Sequence, residues 1–326
     1  MLIIGGVVAM LAGACSSGSG SGSPSSTPTS TAASGSSSGA LEKTTITVGT
    51  LPVVDVAPLF LAIKNGYFAQ QGLTVKTVLA QQSTATLPDL LHGVVDIITG
   101  NYTTYFLGDA RHTFSLDVVG MGFTCVPDTF EILALPGSGI TKPADLAGKT
   151  VAVNVVNNIQ TLATNAILKA DGVTGKPVYV PIPFPDMIAA LKAHRVDAIS
   201  VVEPFISGAK HSAGAVTVMS ECQGPTANIP VSGYYTTAAF AQQYPNTARA
   251  FQRAMARAQA YANANPQAVK AIIPSFVKIT PAAADAVALG IFPPSIDTSA
   301  LQKLADLMFS NGMLASPFQV SSIVFK

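Results

Sequence analysis

ITVGTLPVVDVAPLFLAIKNGYFAQQGLTVKTVL, residues 46–79, reads as one strand–helix–strand unit. Residues 46–50 alternate branched with small side chains, as a strand does. Pro58 fits the first turn of a helix, where a missing N–H costs nothing. Leu59, Phe60 and Ile63 fall on one helical face, and Asn65-Gly66 can end the helix in a left-handed conformation. Gly72 then opens a second strand over 73–79. Such a crossover makes the two strands parallel and the connection right-handed. Ligands of open parallel sheets sit beyond the carboxyl ends of the strands. Residues 52–55 and the loop 80–83 therefore stand at the mouth of a site.

The chain of 326 residues has room for two ordinary domains or one large one. Only 11% of it is charged and the net charge is +1, which argues against nucleic acid or an anionic membrane surface as the main partner. Residues 2–14 form an uncharged apolar run, too short for the roughly 20 residues that cross a bilayer. The run ends in Leu11-Ala12-Gly13-Ala14-Cys15, small residues before a cysteine, and resembles the processing site of a bacterial lipoprotein. Ala12-Gly13-Ala14 also satisfies ordinary signal cleavage. Export is expected either way, with Cys15 the acylated residue in the first case. Residues 16–40 are almost wholly Ser, Gly, Thr, Pro and Ala and cannot bury surface. They read as a flexible tether spanning roughly 28 Å, and the linker as a whole is placed at 16–43. Cys125 and Cys222 are the remaining cysteines. Outside the cytoplasm they form either a disulfide or two buried thiols.

The body continues with a short helix over 86–92 and a strand over 94–99, then a loop at 100–104 that opens a helix. Strands follow at 117–123 and 130–135, and the segment between them, with Pro127 and Asp128, is a passage from one lobe to the next. A strand over 150–153 runs into Asn154 to Gln160 and a helix with Leu162, Ala166, Ile167 and Leu168. Further strands at 178–182 and 196–202 flank a helix over 186–193. After a strand at 215–220, the segment 231–236 reads as the return crossing. Cys125 and Cys222 each precede a crossing, which favours their pairing. Helices are expected over 248–265, 267–273, 282–289 and 298–310. Arg249, Arg253 and Arg257 lie four apart and read as a solvated stripe.

Several of these stretches carry a resemblance. Asp55-x-x-Pro58, Ala62-Ile63-Lys64-Asn65-Gly66-Tyr67-Phe68 and Gly72-Leu73-x-Val75 resemble the opening of substrate-binding proteins of ABC importers, in the branch serving nitrate, sulfonates, taurine and thiamine-pyrimidine precursors. Leu90 to Ile97, with Gly93 and Asp96, resembles the family's L-x-x-G-x-x-D step. Asp145-Leu146-x-Gly148-Lys149-x-Val151-x-Val153 is similar to the segment that introduces the second lobe of bilobal binding proteins. Ala190 to Ala198 resembles A-L-x-x-G-x-V-D-A, with His194, read as a surface turn residue, in place of glycine. Glu203-Pro204 and the closing helix around Leu301 to Met308 also resemble the family.

The resemblance implies an α/β chain with the two-lobed type II periplasmic binding fold, its two crossing strands acting as the hinge. Lobe 1 is expected at 44–127 and 231–326, lobe 2 at 128–230. It implies an extracytoplasmic lipoprotein, monomeric, that binds a small molecule and works with a permease and an ATPase. Loop positions and resemblance together give a candidate lining of Asp55, Gln81, Gln82, Ser83, Asn101, Tyr102, Asn154, Asn157, Asn158, Phe184, Glu203 and Tyr234. Asn101, Asn157 and Asn158 can equally cap helices, and Glu203 can cap the next helix or bridge the lobes. That lining holds no Lys or Arg, which tilts the ligand toward a neutral or amine-bearing ring, such as a pyrimidine precursor, over nitrate or a sulfonate. A hydrolase should show G-x-S-x-G, and a zinc protease H-E-x-x-H; the chain has neither. The cysteine-rich motif of the fungal-type pyrimidine synthases that share the fold is also missing. No catalytic residue, metal or cofactor is expected. A signalling or adhesive lipoprotein on the same fold is the third class.

Overall fold

The computed structural model describes residues 39–326, so the leader, Cys15 and most of the tether lie outside the described residues. Within it, Ala40–Lys43 are bound to the body and are not part of a free linker. Ala40 O accepts from Asn246 Nδ2 at 3.2 Å, and the Glu42 carboxylate accepts the N–H groups of Asn246 and Thr247 at 3.1 and 3.0 Å. Those two N–H groups belong to the first turn of a long helix, where a carboxylate is favoured.

The quoted unit forms as its residues suggest. β1 (Thr45–Thr50) buries Ile46 and Val48 completely and pairs in parallel with β2 (Thr74–Leu79). Between them α1 (Ala57–Lys64) carries Pro58 in its first turn and is followed by Gly66 at φ +70°. Its buried face differs from the one expected. Leu59, Leu61 and Ala62 are buried, whereas Ile63 is 38% exposed. The helix is held by two later helices at once, so the covered face is wider and rotated away from Ile63.

α2 (Leu87–Leu91) leads into β3 (Ile97–Asn101), which begins three residues later than its apolar run because Val94 turns out to solvent. α3 (Tyr102–Ala110) follows at once, and β4 (Leu116–Thr124) reaches the first passage, residues 125–129. β5 (Phe130–Ala134), β6 (Thr150–Val153), α4 (Ile159–Ala170), β7 (Val178–Pro181), α5 (Phe184–Lys192), β8 (Ala198–Val202), α6 (Phe205–Ala213) and β9 (Val216–Ser220) come next. The second passage, residues 221–229, delivers β10 (Pro230–Thr237). α7 (Ala238–Gln243), α8 (Pro245–Ala264), α9 (Pro266–Ile272), α10 (Pro281–Asp285) and α11 (Thr298–Ser310) complete the chain; α10 is shorter than its apolar pattern suggests.

The strands form two five-stranded sheets, β2-β1-β3-β10-β4 and β7-β6-β8-β5-β9. They share one plan. In each, three parallel strands are followed by one antiparallel strand that has just arrived from the other sheet, β10 in the first and β5 in the second. The strand that leaves forms the outer edge, β4 in the first and β9 in the second. Register then decides the location of a site. The start of β10 pairs with the end of β3 through Ser232 and Asn101, and the start of β5 pairs with the end of β8 through Phe130 and Val202. All four ends meet between the sheets. Cys125 and Cys222, one in each passage, are joined by a disulfide with Cα atoms 5.8 Å apart.

Candidate functional site

A narrow cavity of about 50 Å³ lies where those strand ends meet. Its walls come from both sheets: Leu51, Val53, Asp55, Thr99, Asn101 and Ser232 on one side, Phe130, Asn154, Asn158, Gln160, Phe184 and Val202 on the other. Ser83 closes one end. Its lining contains no Lys, Arg or His.

Each polar side chain is held by the element that presents it. Asn101, the last residue of β3, caps α3 by accepting Thr104 N–H at 2.9 Å, and its amide lies 3.4 Å from Ser83 Oγ. Asn158 caps α4 in the same way, accepting Gln160 N–H and Thr161 N–H at 3.0 and 3.2 Å. Gln160 accepts from Asn154 N–H and Asn158 Nδ2 at 2.7 and 2.6 Å, and donates to Ser200 O at 2.6 Å. The loop of the first sheet is bound to Asn154 of the second by three bonds. Ser83 N–H donates to Asn154 Oδ1 at 3.2 Å, Asn154 Nδ2 to Gln81 O at 3.0 Å, and Gln82 Nε2 to Asn154 O at 3.1 Å.

Asp55 stands apart from this amide network. Ser232 Oγ donates to its Oδ2 at 2.7 Å. Burial pushes its carboxyl up to about 6, against the lowering effect of the Ser232 bond and of its own N–H.

Of the expected lining residues, Asp55, Ser83, Asn101, Asn154, Asn158 and Phe184 are brought together. The other six are not among the lining residues. The Gln82 side chain is spent on the rim contact and the Gln81 side chain is exposed. Asn157 is exposed, at a left-handed φ of 56°, because the turn before α4 points it away. Tyr102 is fully buried beneath its own sheet, its hydroxyl donating to Met121 Sδ at 3.1 Å. Tyr234 is fully buried on the sheet face packed against Phe251. The strand's alternation sends Ser232 and Tyr234 to one face, but only Ser232 is near enough to the strand end to reach the cavity. Glu203 accepts from Ser207 N–H, Ser207 Oγ and Ala288 N–H at 3.1, 2.7 and 3.1 Å, so it caps α6 and ties down the segment before residue 290. Burial raises its carboxyl, with those bonds opposing.

Sequence reading missed Gln160, Ser232, Thr99 and Phe130. Ser232 and Phe130 had a signal, since each opens the strand that follows a crossing. Gln160 and Thr99 had none, being a helical and a strand residue of ordinary type. The assembled groups, hydroxyls, amides and one carboxylate around two phenyl rings, can hydrogen-bond and stack a small molecule. Among the described residues no helix is long and apolar enough to cross a membrane.

A family model described as NMT1/THI5 like matches residues 53–269. The nitrate/nitrite binding protein NrtA of Nostoc sp. strain PCC 7120 is 25% identical over 184 residues, 51% of this chain and 42% of that relative. The chain thus matches less than half of that relative's length. Among solved structures, the alkanesulfonate-binding protein SsuA from Xanthomonas axonopodis pv. citri bound to MOPS has a TM-score of 0.69 and 18% identity, covering 87% of this chain and 99% of that one. The periplasmic nitrate-binding protein NrtA from Synechocystis PCC 6803 has a TM-score of 0.74 and 16% identity, covering 87% of each. A desulfurization enzyme, DszB, shares the fold at a TM-score of 0.63 and 17% identity, covering 86% of this chain and 96% of that one. At these identities the structures show the two-lobed periplasmic binding fold and nothing of the ligand. The family model spans well over half of the chain, and the chain belongs to the NMT1/THI5-like family.

Proposed function

We propose that this protein is the extracytoplasmic solute-binding component of an ABC importer. It captures a small polar organic molecule between its lobes, 44–127 with 231–326 against 128–230, and delivers it to a permease driven by an ATPase. The observation that carries this is the cavity walled by the strand ends of both sheets and closed over by the Asn154 contacts. Ligand contacts from both lobes favour the closed state, and the two passages bend to allow it. Cys15 holds the body at the membrane through a lipid, and the protein works as a monomer. No bond of the solute is made or broken.

Among ligands, an amine-bearing ring such as a thiamine-pyrimidine precursor fits better than nitrate, taurine or an alkanesulfonate. An anion needs free donors, and the cavity supplies no basic side chain, while Asn101 and Asn158 already occupy the amino termini of α3 and α4. The names of the NrtA and SsuA relatives favour the anion reading. Thermal-shift screening of the full chain against thiamine precursors, nucleobase-like compounds, taurine, alkanesulfonates and nitrate separates the two. X-ray scattering on each hit reports whether the lobes close. A shift with sulfonates or nitrate alone overturns the ring preference; hits that leave the scattering curve unchanged overturn capture between lobes.

A further inference from the structure

We infer that Asp55 is a counter-ion for a compact protonated amine or amidine, so that the cleft selects its ligand by positive charge. The inference rests on the capture reading and assigns the part of the solute that the cleft recognises.

Asp55 differs from every other buried acid of the body in having so few partners. Asp96 has Lys43 Nζ at 2.6 Å and Thr47 N–H at 2.9 Å. Glu131 has Lys210 Nζ at 2.8 Å and Thr217 Oγ1 at 2.9 Å. Glu203 has Ser207 and Ala288, and Glu221 has Ser200 Oγ at 2.5 Å and Thr164 Oγ1 at 2.7 Å. Asp55 has one donor from another side chain, Ser232, and takes part in neither salt bridge found among the described residues. It is also the one acid of the five that lines the cavity. Its carboxylate has room for about four hydrogen bonds, and Oδ1 receives none from another residue. An ionised carboxylate this far from water, at 6% exposure, needs an opposite charge beside it.

The neighbouring groups offer no competing recognition. Asn101, Asn154, Asn158 and Gln160 satisfy one another or cap helices, as described above. The lining hydroxyls are engaged as well, Thr99 donating to Thr50 at 3.0 Å, Ser83 accepting from Asn101 and Ser232 donating to Asp55. The rest of the wall is apolar, with the Phe130 and Phe184 rings on one side and Leu51 and Val53 on the other. A ligand that answers this surface puts N–H donors and positive charge on Asp55 and an apolar or planar body on the rings. A planar amidinium meets both needs, because its parallel N–H groups match a carboxylate in a two-bond fork. A carboxylate or sulfonate ligand is repelled by the same group.

The test uses three isosteric probes of charge plus one, zero and minus one: benzamidine, benzamide and benzoate, with acetamidine, acetamide and acetate as the smaller-bodied set. Calorimetric titration into the full chain should show benzamidine or acetamidine bound at least tenfold more tightly than its neutral counterpart, and no heat from the anion. Asp55→Asn keeps the shape and the Ser232 bond. It should cut amidine affinity at least tenfold and leave the amide within about twofold, with an unchanged circular dichroism spectrum. If the variant does not fold, the wild-type series decides alone. Anion binding equal to or tighter than amidine, amidine binding unaffected by Asp55→Asn, or no amidine binding at millimolar concentration each overturns the assignment. Those results leave capture between the lobes to the scattering experiment, which makes no use of the ligand's charge.

Discussion

Glu221 sits behind the cavity, and its carboxyl is raised further than that of Asp55. It is fully buried, and burial pushes its carboxyl up to about 8, against the bonds from Ser200 and Thr164 and with the nearby Glu131 adding to the rise. The folded protein therefore keeps a proton that the unfolded chain gives up near 4.5. Stability is fully present below that lower value and is lost as pH rises through the window to about 8. The loss is at most about 1.4 kcal/mol for each pH unit. Melting curves should show wild type weakening between pH 5 and 8, whereas Glu221→Gln, neutral throughout, should lose that slope. Gln160 connects this acid to the cavity wall through Ser200, so ligand affinity should weaken over the same window. His194 is a smaller case. It takes φ 53° at the turn after α5, where a side chain is strained, and it is exposed. His194→Gly should raise stability by about 0.5–1 kcal/mol, read as a shift of the denaturant midpoint with no change in slope.

At the level of elements, the two lobes repeat one device. After α2, Gly93 at φ +72° turns the chain, and Asp96 accepts Thr47 N–H of β1 at 2.9 Å. After α5, His194 makes the same turn, and Asp197 accepts Thr150 N–H and Oγ1 of β6, both at 2.7 Å. Each aspartate pins the start of one parallel strand to the entry of its neighbour, so register does not slip. The spacing Gly93-x-x-Asp96 was visible in the sequence; its recurrence at His194-x-x-Asp197 was partly hidden by the histidine. The disulfide belongs to this scale as well, because it joins the two passages across a separation of 97 residues. Replacing both cysteines by serine should cost about 2–4 kcal/mol of unfolding free energy. Denaturant titration of reduced and oxidised protein is the check, and equal midpoints would mean that the bridge constrains nothing.

For the molecule as a whole, Asn154 is the contact most exposed to lobe motion. It makes all three bonds between the loop 81–83 and the second sheet. A second bond between the two strand-end loops runs from Val54 N–H to Glu203 O at 3.1 Å, beside the lining residues Val53, Asp55 and Val202. Asn154→Ala should lower affinity for any captured solute about tenfold by making the closed state less populated. It should leave the unfolding midpoint nearly unchanged, since the substitution removes no buried apolar side chain. Scattering in the presence of ligand should show a larger radius of gyration than wild type.

The alternating run at 46–50, the turn glycines and the apolar helical spacings determined the parallel units, the two crossings and hence the two-lobed fold. These are local or short-range properties, and each is written in neighbouring residues. The order of the strands within each sheet was not among them: β10 inserts between β3 and β4, and β5 lies between β8 and β9, which follow it in the chain. The lining of the cavity was legible in part. Asp55, Ser83, Asn101, Asn154, Asn158 and Phe184 stand at strand ends or helix starts, so their positions along the chain placed them. Tyr102, Tyr234 and Glu203 stand at equally suitable positions and turn away. Which way a side chain points depends on what fills the space on either side, and for the two tyrosines that was settled by Met121 and Phe251, distant in sequence. The isolation of Asp55 is of the same kind: a carboxylate's partners are counted only after folding has brought every candidate near or kept it away.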